Sequence, residues 1–259
     1  MSGSGPTGEV RLDRPAPHIA RFTIDNPPRN ALGTAIRERF VAQLDELAAD
    51  HSIRCVIITG TGAAFCSGDD LREAGTRGAS AQDSLHQFGV LLARIERFRC
   101  PVIAQINGHA VGGGLELALC CDIRIASPNA SFIAAGVNVG LMASVFRLPR
   151  LIGVARAKRM LLTGLPTDAV TAHEWGLITD LVEAPTLAED TLKLAQRIAS
   201  RAPLSVEAAK RQSGKALDNT VEEAQAAARA ELEVLSKSAD HREGLAAFAE
   251  RREPRFTRS

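Results

Sequence analysis

The hydrophobic pattern of the first 145 residues alternates between strand-like and helix-like segments. Residues 18–26, HIARFTIDN, alternate apolar and polar positions and run into the turn sequence NPP, which is typical of a strand. Apolar residues then recur at helical spacing from Ile36 to Ala48. The continuous apolar run CVIITG, residues 55–60, predicts a strand that is buried on both faces.

A second helix and two further buried strands follow this strand. Apolar positions at helical spacing extend from Leu85 to Phe98, and we expect the next Cys-Pro pair to close that helix. The segments PVIAQIN (101–107) and DIRIAS (122–127) predict strands. Strands that alternate with helical segments favour an α/β fold with right-handed crossovers.

After about residue 145 the pattern becomes helical. Gly164 and Gly176 stand where helices are expected to end, and Thr220 with Glu223 has the spacing of a capping box. Five segments predict helices: VARAKRMLLTG, TDAVTAHEWG, TLKLAQRIAS, LSVEAAKRQSGKAL and TVEEAQAAARAELEVLSKS.

The chain therefore divides into three predicted parts. Residues 1–14 contain no apolar stretch, so we expect a flexible leader without a secretory signal. Residues 15–200 are predicted to form the α/β core, and residues 201–259 a helical C-terminal region. A chain of 259 residues is long enough to bury a sizeable core.

Composition excludes several classes of function. The 31 basic and 30 acidic residues nearly balance, which gives no electrostatic signal for nucleic acid or an anionic membrane. No apolar run approaches the ~18 residues that a membrane-spanning helix needs. The absence of tyrosine and the single tryptophan disfavour an aromatic platform for single strands. We expect neither a nucleic acid nor a membrane as a partner.

The cysteines predict reduced thiols in a cytoplasmic protein. Their number is odd and two are adjacent, which disfavours a disulfide framework. No CxxC pair or HxExxH-like spacing occurs, so we expect no metal site. The five are Cys55, Cys66, Cys100, Cys120 and Cys121.

One glycine loop resembles a dinucleotide fingerprint without matching it. GTGAAF, residues 60–65, places Phe65 where GxGxxG requires its third glycine, and no acidic residue follows at the end of a second strand. No GxxxxGK[ST] string occurs either. We therefore expect no bound nucleotide cofactor.

Two other loops indicate a site. AAFCSGDDL (63–71) and NGHAVGGGLEL (107–117) each follow a predicted buried strand, so both lie where α/β sheets collect ligands. Backbone N–H groups of two such loops can converge on a carbonyl oxygen that gains negative charge. Glu116 lies three residues after Gly113, on the same side of the following helix, where it can take or give a proton. Its structural alternative is a residue that compensates the helix dipole.

These loops carry a family resemblance. AFCSGDDL and INGHAVGGGLELALCCDIRIAS resemble the two motifs of the crotonase superfamily, the enoyl-CoA hydratase/isomerase fold. The resemblance implies a spiral of ββα units and a helical C-terminal region that drives assembly into a homotrimer or a dimer of trimers. It also implies a coenzyme A thioester as substrate, with no separate cofactor. Supporting segments occur in the expected order: NPPRNAL, RLPRLIGVARAKRMLLTG, HEWGLITDLVE, APLSVEAAK and HREGLAAFAERREPRFT.

The resemblance also implies residue roles. The backbone N–H groups of Ser67 and Gly113 would form an oxyanion hole, and Glu116 would be the acid/base. Asp70 is expected to cap the following helix rather than to perform chemistry. The implied substrate-binding residues are Ser67, Gly68, Asp69, Asp70 and Gly113, with Arg29 toward the CoA phosphates.

The sequence departs from the hydratase pattern at one position. Hydratases of this family use two glutamates to hold one water, and Glu116 matches the first. When Phe132 is aligned with the family segment FGQPE, Gly136 stands at the second, and the following segment GLMASVFRLPRL is shorter than its hydratase counterpart. Possible substitutes, each with a structural alternative such as loop polarity, backbone bonding, a turn or a helix cap, are Asp69, His109, Asn138 and Ser144.

Three functions remain open from the sequence. The first is a hydratase-type lyase or isomerase that acts on a CoA thioester through Glu116. The second is another reaction on the same fold: isomerisation, decarboxylation, ring cleavage or dehydration. The third is a non-catalytic acyl-CoA-binding protein. Cys66, His173 and Trp175 are expected to be structural.

Overall fold

Two β-sheets are formed by residues 8–75 and 81–259, which a computed structural model describes. Their strands are β1 (Glu9–Ala16), β2 (Ile19–Asp25), β3 (Cys55–Gly60), β4 (Ala64–Cys66), β5 (Val102–Ile106), β6 (His109–Val111), β7 (Ile123–Ala126), β8 (Ser131–Ile133), β9 (Thr167–Asp168) and β10 (Asp180–Leu181). In this part of the chain the larger sheet has the order β1-β2-β3-β5-β7-β10 and the smaller one β4-β6-β8-β9. Only the pairs β1–β2 and β8–β9 are antiparallel among the described strands.

Helices connect the strands and then dominate the chain. They are α1 (Thr34–Ala49), α2 (Leu71–Ala74), α3 (Ala81–Glu96), α4 (Gly113–Cys120), α5 (Arg147–Ile152), α6 (Val154–Thr163), α7 (Ala169–Glu174), α8 (Leu187–Ala199), α9 (Pro203–Ser213), α10 (Val221–Leu235) and α11 (Ala239–Glu250). A 3-10 segment covers Ala135–Val139. The predicted change from an α/β pattern to a helical one is confirmed, although the short strands β9 and β10 lie within the later part.

The larger sheet is buried on both faces at its centre. Val56 and Ile58 of β3 pack into the main core, while Cys55 and Ile57 point to a second cluster that includes α8. The predicted double burial of CVIITG is confirmed. Since β3 and β5 are held from both sides, the loops that follow them leave a rigid edge.

The start of the chain differs from the expectation. Residues 9–14, predicted as part of a flexible leader, belong to β1, where Val10 pairs with Ile24 and Leu12 with Phe22. The prediction was wrong for these residues because β1 has few apolar positions and is stabilised mainly by its partner strand. Residues 1–7 of the predicted leader lie outside the described residues.

Local signals at helix ends are confirmed. Gly164 and Gly176 adopt φ values of 60° and 78°, the left-handed region that favours glycine after a helix. Thr220 and Glu223 form the predicted capping box, with the Thr220 N–H donating to Glu223 Oε2 at 2.8 Å and the Glu223 N–H donating to Thr220 Oγ1 at 3.2 Å. Leu85 departs from the expected buried face of α3, with 54% of its surface exposed.

The last residues of the chain fold back onto the helical region. Glu207 accepts hydrogen bonds from Arg99 Nη1 (2.8 Å) and from Arg258 Nε and Nη2 (both 3.0 Å). Asp240 accepts the backbone N–H of Thr257 at 2.7 Å. Residues near the C-terminus therefore stabilise α9 and α11 through buried carboxylates.

All five cysteines are free and buried, as expected. Across the described ranges, no helix combines the length and apolar character needed to cross a membrane.

Candidate active site

The two loops singled out in the sequence meet in space. Strands β4 and β6 are parallel neighbours, with Cys66 opposite Ala110, so the loops that follow them leave the same edge. The backbones then touch: a Cβ added to Gly68 would lie 2.6 Å from the Gly113 nitrogen. Gly68 also adopts φ +86°, so both its conformation and its contact require glycine.

Each of the three glycines in GGGLE is required for a different structural reason. Gly112 is the N-cap of α4 and has φ +53°. A Cβ on Gly113 would lie 2.5 Å from Phe88 Cζ, and one on Gly114 would overlap the Cys66 carbonyl oxygen. As the first residue of α4, Gly113 has no carbonyl four residues earlier within the helix to accept its N–H. That N–H therefore lies at the positive end of the helix dipole, beside the β4 loop.

Ser67 does not present the N–H group that the resemblance implied. Its backbone N–H donates to the carbonyl oxygen of Arg29 at 3.0 Å, which ties the β4 loop to the segment before α1. The Leu32 N–H reinforces this tie by donating to the Gly68 carbonyl at 2.7 Å. The expectation that Ser67 supplies an oxyanion donor is wrong, because the same N–H is used to fix the loop.

The backbone N–H of Asp69, two residues after Ser67, points in a different direction. Leu32 and Asp69 form a parallel bridge. In such a bridge the hydrogen bonds of Leu32 run to the residues that flank Asp69, so the backbone N–H of Asp69 points to the opposite side. That amide follows Gly68, whose backbone contacts Gly113.

A buried cation holds the Asp69 side chain. Arg37 of α1 is 1% exposed and forms an ion pair with the Asp69 carboxylate. The same guanidinium donates to the Leu32 carbonyl at 2.8 Å and to Ser84 Oγ at 2.7 Å. It also stacks 5.7 Å from the centre of the Phe88 ring. Asp69 thus serves the loop as an ion-pair partner.

The structure places Asp70 at a helix start and Arg29 at the surface. The Asp70 carboxylate accepts the N–H of Arg72 at 2.9 Å and caps α2, which confirms the expected capping role. Arg29 is exposed, and its carbonyl accepts the Ser67 N–H.

Glu116 is a buried carboxylate with one satisfied oxygen. Only 6% of the residue is exposed. Its Oε2 accepts a hydrogen bond from Arg147 Nη1 at 2.9 Å, whereas its buried Oε1 has no partner among the described residues. A buried oxygen without a partner is unusual and calls for an explanation, of which a catalytic role is one.

Arg147 connects Glu116 to a second carboxylate. Its Nε and Nη2 donate to Glu96 Oε1 and Oε2 at 2.9 and 2.8 Å. Hydrogen bonding to Arg147 outweighs burial and lowers the pKa of Glu96. Burial opposes the charged form of Arg147, but Glu96 and the other surrounding negative charges raise its pKa above the ordinary value.

Sequence reasoning missed Arg147. A signal existed, because Arg147 is the first residue of α5 and a cation at a helix N-terminus opposes the helix dipole. Such a residue is tolerated where another charge compensates, and here two carboxylates do so.

Position 136 faces the backbone of residues 141–143. A Cβ on Gly136 would lie 2.9 Å from the Leu141 carbonyl oxygen and 3.2 Å from the Ala143 nitrogen. The backbone around Gly136 is therefore packed too closely to accept a larger side chain without a shift.

The remaining substitute candidates differ in their environments. His109 is exposed, and its Nδ1 lies 2.8 Å from Ser131 Oγ. Asn138 Nδ2 donates to the Gly164 carbonyl at 3.2 Å. Ser144 is buried, and its hydroxyl has no partner within the described chain. The N-cap of α5 is Phe146, so Ser144 does not have the expected capping role.

Cys66 is an accepting thiol rather than a nucleophile. Burial raises its pKa to about 12, and its Sγ accepts the Gly68 N–H at 3.3 Å. Trp175 stacks against Arg156 and Arg159, whose guanidinium carbons lie 5.9 and 5.5 Å from its ring centre.

Comparison with known proteins identifies the class. The family model described as enoyl-CoA hydratase/isomerase matches residues 16–259. The (E)-benzylidenesuccinyl-CoA hydratase of Thauera aromatica is 38% identical over 92% of this chain and 95% of that protein. The 1,2-epoxyphenylacetyl-CoA isomerase of Escherichia coli is 32% identical over 92% and 95% of the two chains. The crystal structure of an enoyl-CoA hydratase from Bacillus anthracis superposes with a TM-score of 0.92 at 32% identity, covering 96% of this chain and 99% of that one.

The chain therefore belongs to the enoyl-CoA hydratase/isomerase family and has the crotonase fold. It is an enzyme of the hydratase or isomerase type, and its substrate class is the acyl-CoA thioester. The non-catalytic alternative raised by the sequence is not favoured by these relatives.

Proposed function

We propose that this enzyme adds water to, or moves the double bond of, an enoyl-CoA through an enolate intermediate with Glu116 as its acid/base. The observation that carries the proposal is the unpartnered, buried Oε1 of Glu116, three residues after Gly113 in the same helix. A carboxylate oxygen there can transfer a proton next to the point where the two glycine loops meet.

The proposed oxyanion hole combines two backbone amides. Gly113 supplies one N–H from the N-terminus of α4. Asp69, rather than Ser67, supplies the other, since the bridge to Leu32 directs its amide away from the α1 side. As the thioester oxygen gains negative charge, two such donors stabilise it, and each contributes about 10²–10³ in rate.

A single carboxylate can carry the proton transfers of both reactions. In hydration, Glu116 takes a proton from water as the hydroxyl oxygen bonds to C3, and it returns that proton to C2 of the enolate. In isomerisation it takes a proton from one carbon of the chain and returns it to another. Gly136, which lacks a carboxylate, favours the second reaction, because this reaction needs no second acid to hold a water.

The substrate channel and its entrance belong to the same proposal. Ser67, Gly68, Asp69 and Asp70 would line the acyl-CoA channel with Gly113. The exposed side chain of Arg29 would contact the CoA phosphates, since an exposed guanidinium beside this loop suits a bidentate phosphate contact.

We further propose a homotrimer or a dimer of trimers in the cytoplasm. Large apolar side chains are exposed along residues 137–170 and in α11, which supports a subunit interface. The free cysteines support a reducing compartment. Sedimentation equilibrium tests the assembly, and a monomer at micromolar concentration would contradict it.

The reaction is tested with crotonyl-CoA, longer 2-enoyl-CoAs and 3-enoyl-CoAs, with products analysed by mass spectrometry. Hydration adds one water, whereas isomerisation leaves the mass unchanged and changes the retention time. Glu116→Gln is expected to abolish either activity, and the exposed Glu233→Gln is the matched control. Turnover that survives Glu116→Gln at the wild-type rate would overturn the proposal.

A further inference from the structure

Arg147 lies between two carboxylates and uses a nitrogen for each contact. Nη1 binds Glu116 Oε2 at 2.9 Å, while Nε and Nη2 bind the two oxygens of Glu96. The Arg147 side chain is 13% exposed, and the Phe146 ring lies 4.4 Å from its guanidinium carbon. The bidentate contact with Glu96 fixes the plane of the guanidinium, because a fork of this type allows one orientation.

The groups around Glu116 show why its contact with Arg147 matters. Arg147 reaches it from α5, Glu96 lies behind Arg147 on α3, and Cys120 is one turn further along α4. Burial raises the pKa of Cys120, so this neighbour is a neutral thiol. Arg147 is therefore the cation that balances Glu116 among these neighbouring groups, and a buried carboxylate without such a partner would be strongly disfavoured.

We infer that Arg147 is a positioning residue that occupies Oε2 of Glu116 and leaves Oε1 as the proton-transferring oxygen. The catalytic part of this inference rests on the proposed function, whereas the ionic tie between Arg147 and Glu116 does not.

The tie is tested by NMR of protein labelled with ¹³C at the glutamate carboxyl carbons, with Glu116→Gln used to assign the signal. In Arg147→Gln the carboxyl chemical shift of Glu116 at neutral pH is expected to move, because Oε2 loses the guanidinium N–H of Arg147. The matched control is Arg150→Gln. Arg150 lies on the same helix as Arg147, and this substitution breaks its exposed pair with Asp218, so it should leave the Glu116 signal unchanged. An unmoved Glu116 signal in Arg147→Gln overturns the inference.

Circular dichroism shows whether Arg147→Gln folds. If it does not, Arg147→Lys tests the same role. A lysine keeps the charge but loses the planar fork. We expect kcat for crotonyl-CoA to fall at least tenfold in this variant, with little change in KM. An undiminished kcat overturns the positioning role.

Kinetics separate this inference from the proposed function. In Arg147→Gln kcat should fall while KM stays near the wild-type value. The proposed function would be wrong if the wild-type enzyme bound crotonyl-CoA but neither hydrated it nor exchanged its protons with deuterium oxide. In that case the NMR signal of Glu116 still decides whether Arg147 holds its carboxylate.

Discussion

The ring of Phe88 lies directly behind Gly113, so that a Cβ at position 113 would stand 2.5 Å from Phe88 Cζ. Phe88 is itself buried and is stacked by Arg37. The first residue of α4 is therefore held between an aromatic ring and the Gly68 backbone. This packing fixes the direction of the N–H proposed as an oxyanion donor.

Gly113→Ala is expected to reduce kcat by up to about 10²–10³, because the added methyl group displaces the start of α4 and moves the N–H proposed as an oxyanion donor. The added methyl group must displace Phe88 or α4, which should also cost about 1–3 kcal/mol of unfolding free energy. Steady-state kinetics and urea denaturation measure the two effects. Gly89→Ala is the matched control on α3, since a Cβ there meets no atom within 4 Å. It should leave kcat nearly unchanged and raise the unfolding free energy by about 0.5–1 kcal/mol, because alanine favours a helix interior over glycine. Full activity of Gly113→Ala would show that the packing behind residue 113 does not control the proposed donor.

Arg37→Met is expected to lower the unfolding free energy by about 3 kcal/mol, because it removes one member of a largely buried ion pair. Urea denaturation followed by circular dichroism checks this value. Lys237→Gln, which breaks the exposed pair with Glu233, is the control and should change stability by about 0.5 kcal/mol or less. Equal effects of the two substitutions would show that the Arg37 pair does not stabilise the loop.

Gly136→Glu is expected not to create an efficient hydratase. Its Cβ would press against the Leu141 carbonyl oxygen at 2.9 Å, so the segment must shift at a cost of about 1–3 kcal/mol. Gly136→Ala carries the same Cβ without the carboxylate and separates steric from chemical effects. The measurements are thermal unfolding and crotonyl-CoA hydration. A stable Gly136→Glu enzyme with faster hydration would show that the site accepts a second glutamate as it stands.

Glu207 is expected to make stability sensitive to acid. Burial alone would raise its pKa, but hydrogen bonds and charges from Arg258 and Arg99 outweigh burial and lower the pKa below 4.5. The unfolded chain then binds the proton more readily, so this stabilisation is present above about pH 4.5 and is lost as the pH falls through the lower folded pKa. The Tm difference between wild type and Glu207→Gln should therefore be largest near neutral pH and shrink on acidification. A difference that is independent of pH would refute this role.

The sequence allowed prediction of features that depend on neighbours in the chain. The apolar run of β3, the Thr220–Glu223 capping box and the approach of the two glycine loops follow from local pattern or from adjacent parallel strands. The Asp70 cap was predicted for the same reason.

Features that depend on distant residues were missed. The Ser67 amide binds a carbonyl 38 positions earlier, and Arg147 binds a carboxylate 51 positions earlier. Strand β1 is recognisable mainly through its pairing with β2. Spacing along the chain indicates which residues share a helix face or a loop, but it does not indicate which backbone group a folded loop will use for its own support.

The pair of Arg37 and Asp69 has a consequence for how this sequence can change over time. Loss of the arginine alone removes the buried cation that is paired with the Asp69 carboxylate, and loss of the aspartate alone leaves the buried Arg37 guanidinium without this counter-charge. Single steps away from the pair are therefore selected against, whereas a joint replacement by two uncharged residues is tolerated. Positions 37 and 69 should therefore covary among related chains.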